Sequence, residues 1–318
     1  MKKISIVVPM YNEEEAAPLF FEAISKVISS CKGYEFEIVA VNDGSKDKTL
    51  ELLLKTQETF PGLVVVDLSR NWGHESALLA GLRTCTGDAI IPIDADLQDP
   101  PEIIPQMIEM WEDGYQVVNA KRKSRNKDTS FKKNTAGIYY KLVNKLSGKV
   151  RIPDNVANYR LVDRKVLDDV LAMQESNRVF RIEVPYVGYK TGEVQFAREE
   201  RSKGVSKYNF TMMFNLALSS IIGVTTTPLH WTIPLTISSF LLTFLSIILE
   251  TVFYICFKCG VFNCISPLGY ACWLITNVVM IVASLIFLVL CVLALYLSEA
   301  VIETRKRPNV IINKVYKK

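Results

Sequence analysis

Strong net charge is missing from this chain: 37 Lys and Arg stand against 33 Asp and Glu in 318 residues, a formal balance of +4. Bulk electrostatics therefore give no argument for a nucleic-acid partner. Internal repeats and low-complexity tracts are also missing, which excludes repeat arrays and compositionally biased segments. There are seven cysteines, and Cys256, Cys259 and Cys264 cluster. Their spacing suggests a metal site or a disulfide, but no second ligand pair follows them, so they read as small hydrophobes near a membrane surface with at most one bridge. No cleavable signal peptide is read, because Met1-Lys-Lys runs straight into a strand-like stretch, Ile4 to Pro9. The amino-terminal domain is expected to stay in the cytoplasm, with Cys31 and Cys85 reduced.

Apolar residues are plentiful and unevenly placed. Mean hydropathy is +0.19 although 22% of residues are charged. Residues 1–207 read as a mixed globular domain, whereas 229–257 and 266–298 are apolar runs. Each exceeds the roughly 20 residues that cross a bilayer as a helix. Residues 208–228 read as an amphipathic juxtamembrane helix, with Phe210, Met213 and Phe214 at helical spacing. The loop 258–265 carries only Lys258, while the tail 299–318 carries Arg305, Lys306, Arg307, Lys314, Lys317 and Lys318. That bias predicts a multi-pass protein with both termini cytoplasmic and the loop outside.

Strand-like and helix-like segments alternate through the first domain. Strands are expected at Ile4 to Pro9, Phe36 to Val41, Val64 to Leu68, Ala89 to Ile93 and Gln116 to Ala120. Helices are expected from Asn12 to Ser30, Thr49 to Thr59, Glu75 to Cys85, Pro101 to Trp111 and Ser130 to Leu146. Val179 to Val187 and Glu193 to Phe196 read as extended. The alternation predicts an α/β fold with a mostly parallel sheet, whose ligands bind beyond the carboxyl ends of the strands.

Two carboxylates end the fourth strand, in Ile93-Asp-Ala-Asp-Leu-Gln-Asp99. Asp94 and Asp96 repel one another unless a cation sits between them. Mg2+ or Mn2+ takes oxygen ligands of this kind and keeps positions for substrate phosphates. The alternative is that the acids only cap the helix after Pro100. Asp43, at the end of the second strand, falls on the same edge and favours a site.

The segments Val8-Pro-Met-Tyr-Asn-Glu-Glu14, Val41-Asn-Asp-Gly-Ser45, Leu68-Ser-Arg-Asn71, Gly87-Asp88, Ile93 to Glu102, Ala120-Lys-Arg122 and Tyr159-Arg-Leu-Val-Asp-Arg164 occur in that order. Together they resemble family 2 glycosyltransferases of the GT-A fold, a Rossmann-like nucleotide-diphospho-sugar transferase domain. With the apolar hairpin, the chain is similar to bacterial polyprenyl-phosphate glycosyltransferases, relatives of dolichyl-phosphate mannose synthase. The resemblance implies inverting transfer of a hexose, most simply glucose, from a UDP-sugar to polyprenyl (undecaprenyl) phosphate at the bacterial cytoplasmic membrane. The product would serve cell-envelope glycan modification.

By the same resemblance, Pro9, Tyr11, Glu13 and Asp43 hold the uridine. Asp94 and Asp96 hold Mg2+ or Mn2+ at the diphosphate, and Gln98 and Asp99 touch the sugar or the metal's surroundings. Arg122, Arg160, Arg201 and Lys207 are the candidates for the acceptor phosphate, and a homotetramer is implied. Other readings are an N-acetylglucosamine or other donor, a processive polysaccharide synthase, or a catalytically impaired scaffold.

Asn158 departs from the pattern, since relatives commonly carry Asp before the aromatic-Arg-Leu triplet as the proposed base. A phosphate monoester has its second pKa near ~6, so the acceptor oxygen is already largely ionised at pH 7 and needs little help. From sequence alone, Asn158→Asp is expected to raise turnover, which a steady-state comparison of the two proteins checks.

Overall fold

The computed structural model describes residues 1–123, 156–173, 175, 178–196, 227–259 and 267–317. In the first half, β1 (Lys2–Met10), α1 (Ala16–Ser30), β2 (Tyr34–Asn42), α2 (Thr49–Thr59), β3 (Leu63–Leu68), α3 (His74–Thr84) and β4 (Ala89–Pro92) alternate. A 3-10 turn, Pro101–Ile103, leads into α4 (Ile104–Glu112), and β5 (Val117–Arg122) follows. Then come β6 (Val156–Asp163), α5 (Arg164–Ala172), α6 (Phe180–Tyr186) and β7 (Thr191–Phe196). The long helices α7 (Thr227–Lys258) and α8 (Pro267–Arg305) precede a last strand, β8 (Ile312–Tyr316).

The strands form one sheet in the order β7-β5-β6-β4-β1-β2-β3-β8. β1 pairs in parallel with β2 and with β4, and β2 pairs in parallel with β3. β6 runs antiparallel to β4 and β5, so its first residues reach the edge where β4 and β5 end. Both faces of the centre are covered. In β1, Ile4, Ile6, Val8 and Met10 pack toward Phe20 and Ile24 of α1 and Met107 of α4. Val7, on the other face, joins Val39, Val41, Ala77 and Leu78 under α3. This two-sided burial explains why the central strands read as continuous apolar runs. Gly81 of α3 permits the close approach, because a Cβ there would lie 2.4 Å from the Cγ1 of Val7.

Three stretches differ from the sequence pattern. Val179 to Val187 is helical over Phe180–Tyr186, not extended. Its β-branched residues are dense but lack period two, and Phe180, Glu183 and Val184 share one helical face that is buried. Glu183 fixes the turn, accepting from Val179 N (3.0 Å) and pairing with buried Arg178 at 2.9 and 2.6 Å. β6 was not anticipated as a strand. Finally, 299–318 is no plain basic tail: α8 continues to Arg305, and β8 pairs antiparallel with β3. The helix expected at Ser130 to Leu146 and residues 208–226 of the helix expected over 208–228 lie outside the described residues, and Thr227 and Pro228 belong to α7.

Met1–Asn209 together with Arg307–Lys318 form one compact unit, and Phe210–Lys306 form a second. In the second, α7 and α8 pack on each other and leave Phe240, Leu242, Phe287 and Leu290 exposed. Each contains a segment long and apolar enough to cross a bilayer, Thr232–Cys256 and Leu274–Arg305. Cys31, Cys85, Cys256, Cys259, Cys272 and Cys291 are free thiols.

β8 is held by side chains as well as by the ladder. Asp67 of β3 accepts from Asn42 Nδ2 (2.7 Å) and from Asn313 Nδ2 (2.8 Å), and Gln57 Nε2 donates to the carbonyl of Tyr316 (2.9 Å). Asn313→Ala removes a hydrogen bond to a charged group, so it should cost about 1.5 kcal/mol and lower the melting temperature by roughly 3–6 °C in a thermal scan.

Candidate active site

The loops beyond the ends of β1, β2, β3 and β4 meet at one edge because those strands are parallel. They are laced together by local polar contacts. Asn12, at φ +55° in the left-handed region that Asn tolerates, donates its N–H to Ser45 Oγ (3.0 Å) and accepts from Lys46 N (2.9 Å). Glu13 N donates to Thr49 Oγ1 (2.9 Å). Gly44 sits at φ +63°, and a Cβ there would lie 2.4 Å from the Arg70 carbonyl carbon. Only glycine lets the β2–α2 loop touch the β3–α3 loop so closely.

Asp43 is buried at that junction. Its oxygens accept from Trp72 N (2.7 Å) and Gly73 N (3.0 Å), at the N-terminus of α3. The carboxylate thus satisfies two donors at the start of a helix, where negative charge is favoured. Burial nevertheless pushes its carboxyl upward, against those two bonds and the charges of His74 and Arg70. Each oxygen keeps acceptor capacity for a ligand. Beside it, the Arg70 guanidinium stacks 3.8 Å from the Trp72 ring. Pro9 is next to last in β1, opposite Val41, Tyr11 is half-buried in the next loop, and Glu13 precedes α1, its carbonyl accepting from Ala16 and Ala17.

Asp94 and Asp96 follow β4. Asp96 Oδ1 accepts from Gln98 N (3.1 Å), and Leu97 between them adopts φ +56°. A bulky side chain in the left-handed region is rare and marks a turn held by its surroundings. Asp94 lies at the open lip, half exposed, with His74 Nε2 3.7 Å from its Oδ1. Lost hydration raises its carboxyl, His74 opposes the rise, and Asp96 and Asp99 add to it. The open half of its surface keeps water in contact and limits that rise.

Asp99 is buried and takes both its bonds from Arg122 Nη2, at 3.0 and 3.2 Å. Two residues expected in separate roles are therefore partners. Arg160 requires a correction. It was expected at the acceptor phosphate, but it is 1% exposed. Its guanidinium lies 5.8 Å from the Phe180 ring and donates from Nη2 to the Ala157 carbonyl. Strand alternation turns it inward beside Phe180 of α6. Arg201 and Lys207 lie outside the described residues.

Asn158 enters the same edge from the first turn of antiparallel β6. Its Nδ2 lies 3.4 Å from His74 Nε2 and donates to Glu75 Oε1 (3.2 Å). The sequence reading missed His74 and Glu75. The available signal was their position: they open α3, after the loop that follows β3, and every other parallel strand sends its chemistry from the loop at its end. Among the described residues, no group of three His, Cys, Asp or Glu side chains is close enough to hold a metal by itself.

A doubly covered α/β sheet with acids gathered beyond its strand ends is consistent with the GT-A fold, and the family match gives the class, a glycosyltransferase. The chain belongs to glycosyl transferase family 2, whose model matches residues 5–171. It is 40% identical over 318 residues to a prophage bactoprenol glucosyl transferase homolog of Escherichia coli K12, covering 99% of this chain and 100% of the relative. It is 44% identical over 231 residues to the bactoprenol glucosyl transferase of Shigella phage SfX, covering 72% and 75%. It is 35% identical over 260 residues to an undecaprenyl-phosphate 4-deoxy-4-formamido-L-arabinose transferase of Photorhabdus laumondii, covering 80% and 78%.

Gly44→Ala places a side chain in left-handed backbone and against a neighbouring main chain. It should destabilise by about 1–3 kcal/mol. Thermal unfolding measures this, and an unchanged melting temperature would contradict the close packing of the two loops.

Proposed function

We propose that this glycosyltransferase moves glucose from UDP-glucose to a polyprenyl (undecaprenyl) phosphate, with inversion at the anomeric carbon, at the cytoplasmic face of a bacterial membrane. The observation that carries the reading is the 40% identity, over the whole of both chains, to a bactoprenol glucosyl transferase homolog. A relative named for a different sugar but for undecaprenyl phosphate supports the acceptor in particular.

The donor set fits a hard divalent cation. Asp94 and Asp96 supply carboxylate oxygens at the open lip, and Mg2+ commonly takes only one or two protein carboxylates and completes its shell with water and substrate phosphates. Either Mg2+ or Mn2+ would serve, and when bound it would neutralise charge developing on the departing UDP. Pro9, Tyr11, Glu13 and Asp43 would bound the uridine, with Asp43 also holding α3 in place. Gln98 follows the acids into the sugar subsite, and Asp99 orients Arg122 toward the acceptor phosphate. Arg201 and Lys207 remain candidates for the same anion, by the family pattern.

The transfer itself asks little of a base. An oxygen of the acceptor phosphate, already ionised, bonds to the anomeric carbon as the bond to UDP breaks, and UDP leaves with the electron pair. No proton has to be removed first.

We further propose that both termini lie on the cytoplasmic side. β8 is hydrogen-bonded to β3, so the chain returns to the unit it started from after α7 and α8, which requires an even number of crossings. The relatives' family implies a homotetramer, whose state sedimentation in detergent would measure.

Radiolabelled UDP-glucose incubated with polyprenyl phosphate and Mg2+ or Mn2+ should put label into the organic phase, and EDTA should abolish it. Asp94→Ala and Asp96→Ala should each lower turnover by at least ~100-fold. Label transferred from UDP-N-acetylglucosamine but not from UDP-glucose would overturn the donor, soluble polymer would overturn the acceptor, and full activity in EDTA would remove the metal.

A further inference from the structure

Glu75 stands second in α3 and is half-buried. Its Oε1 accepts from Asn158 Nδ2 at 3.2 Å and its Oε2 from Phe180 N at 3.3 Å. One carboxylate therefore ties the start of α3 to β6 and to α6. The same Nδ2 faces His74 Nε2 at 3.4 Å, and that nitrogen lies 3.7 Å from Asp94 Oδ1. A chain of side chains thus runs from Glu75 through Asn158 and His74 to the first of the twin acids. Glu75 also acts on Arg160: burial lowers that guanidinium's pKa to about 10, and the Glu75 charge opposes the fall.

A carboxylate only accepts hydrogen bonds, whereas a carboxamide donates at nitrogen and accepts at oxygen. Glu75 therefore dictates which way the Asn158 amide faces, and a flipped amide would set oxygen against oxygen. Resting on the function proposed above, we propose that Glu75 is a positioning residue for sugar transfer, and that Glu75 and Asn158 act as a matched pair that must carry one negative charge. The charge locks Asn158, whose Nδ2 meets the Nε2 of His74 as a donor when that nitrogen is unprotonated.

Charge and hydrogen bonding can be separated at this pair. In Glu75→Gln the new Oε1 can still accept from Phe180 N and the new Nε2 can donate to the Oδ1 of a flipped Asn158, so both bonds of residue 75 survive while the charge is gone and the amide turns oxygen, not nitrogen, toward His74. In Asn158→Asp two carboxylates face one another at hydrogen-bond distance and repel. The double exchange, Glu75→Gln with Asn158→Asp, restores both the bond and the single charge. It leaves that charge on the face of β6 that also carries Arg160, because alternate residues of a strand point the same way.

The test is a cycle of four full-length proteins, wild type, E75Q, N158D and the double exchange, compared for kcat, KM for UDP-glucose and melting temperature. Each single change should lower kcat at least ~10-fold with KM within ~3-fold, and the double exchange should return kcat to within ~3-fold of wild type. This reverses the expectation for Asn158→Asp drawn from sequence alone. Losses that multiply in the double exchange, an E75Q protein as fast as wild type, or an N158D protein faster than wild type would each overturn the proposal. A double exchange that regains its melting temperature but not its kcat would overturn it too, since the pair would then be structural only. If wild type transfers no label to lipid, the function proposed above fails. The melting temperatures then still decide the pairing: recovery in the double exchange supports the matched pair, and additive losses refute it.

Discussion

Parallel pairing of β1 with β2 and β4, and of β2 with β3, is the constraint on which the rest of the catalytic unit depends. Strands that run the same way end at the same edge. Because helices cover both faces, the strand bodies must be apolar, and polar chemistry is pushed into the loops at the carboxyl ends. Asp43, His74, Glu75, Asp94 and Asp96 all follow from that one arrangement. The contact of Gly44 with Arg70 and Asn71, and the bonds from Trp72 and Gly73 to Asp43, then turn the loops after β2 and β3 into one surface.

Acids crowd this surface, and the way each is neutralised gives each a different task. Asp43 is met by backbone N–H groups and Asp99 by Arg122, so both are fixed in position. Glu75 is met by a carboxamide and a backbone N–H. Asp94 has an imidazole at 3.7 Å, which is longer than a hydrogen bond. Asp94 and Asp96 stand one residue apart at the lip, with Asp94 half exposed. A divalent cation arriving with a diphosphate would lessen the repulsion between the two carboxylates. That repulsion is the physical content of the metal proposal.

The carboxyl-terminal strand adds a second constraint. An uncovered β3 would leave a row of open backbone groups at the sheet edge, a hazard for pairing with other chains. β8 covers it, with Asn313 and Gln57 securing the contact. The strand lies beyond two long apolar helices in sequence, so closing the sheet and returning the chain from the hairpin are one requirement.

The core strands, α2, the paired acids and the apolar hairpin were legible in the sequence because each is written in local pattern: continuous apolar runs, a polar turn before a helix, length. The tilt of Val179 to Val187 toward helix was not, since dense β-branching reads as strand until the buried Arg178–Glu183 pair is seen. The burial of Arg160, the partnership of Arg122 with Asp99, the meeting of Glu75 with Asn158 and the return of β8 join residues from about 20 to nearly 250 positions apart in the chain. The sequence by itself determined which segments bury apolar surface and which strand ends carry charge, because hydration and backbone geometry act on neighbours. Only the tertiary structure decided which charges meet, because hydrogen bonding and Coulomb attraction act at a few ångströms, across a sheet whose neighbouring strands are distant in the chain.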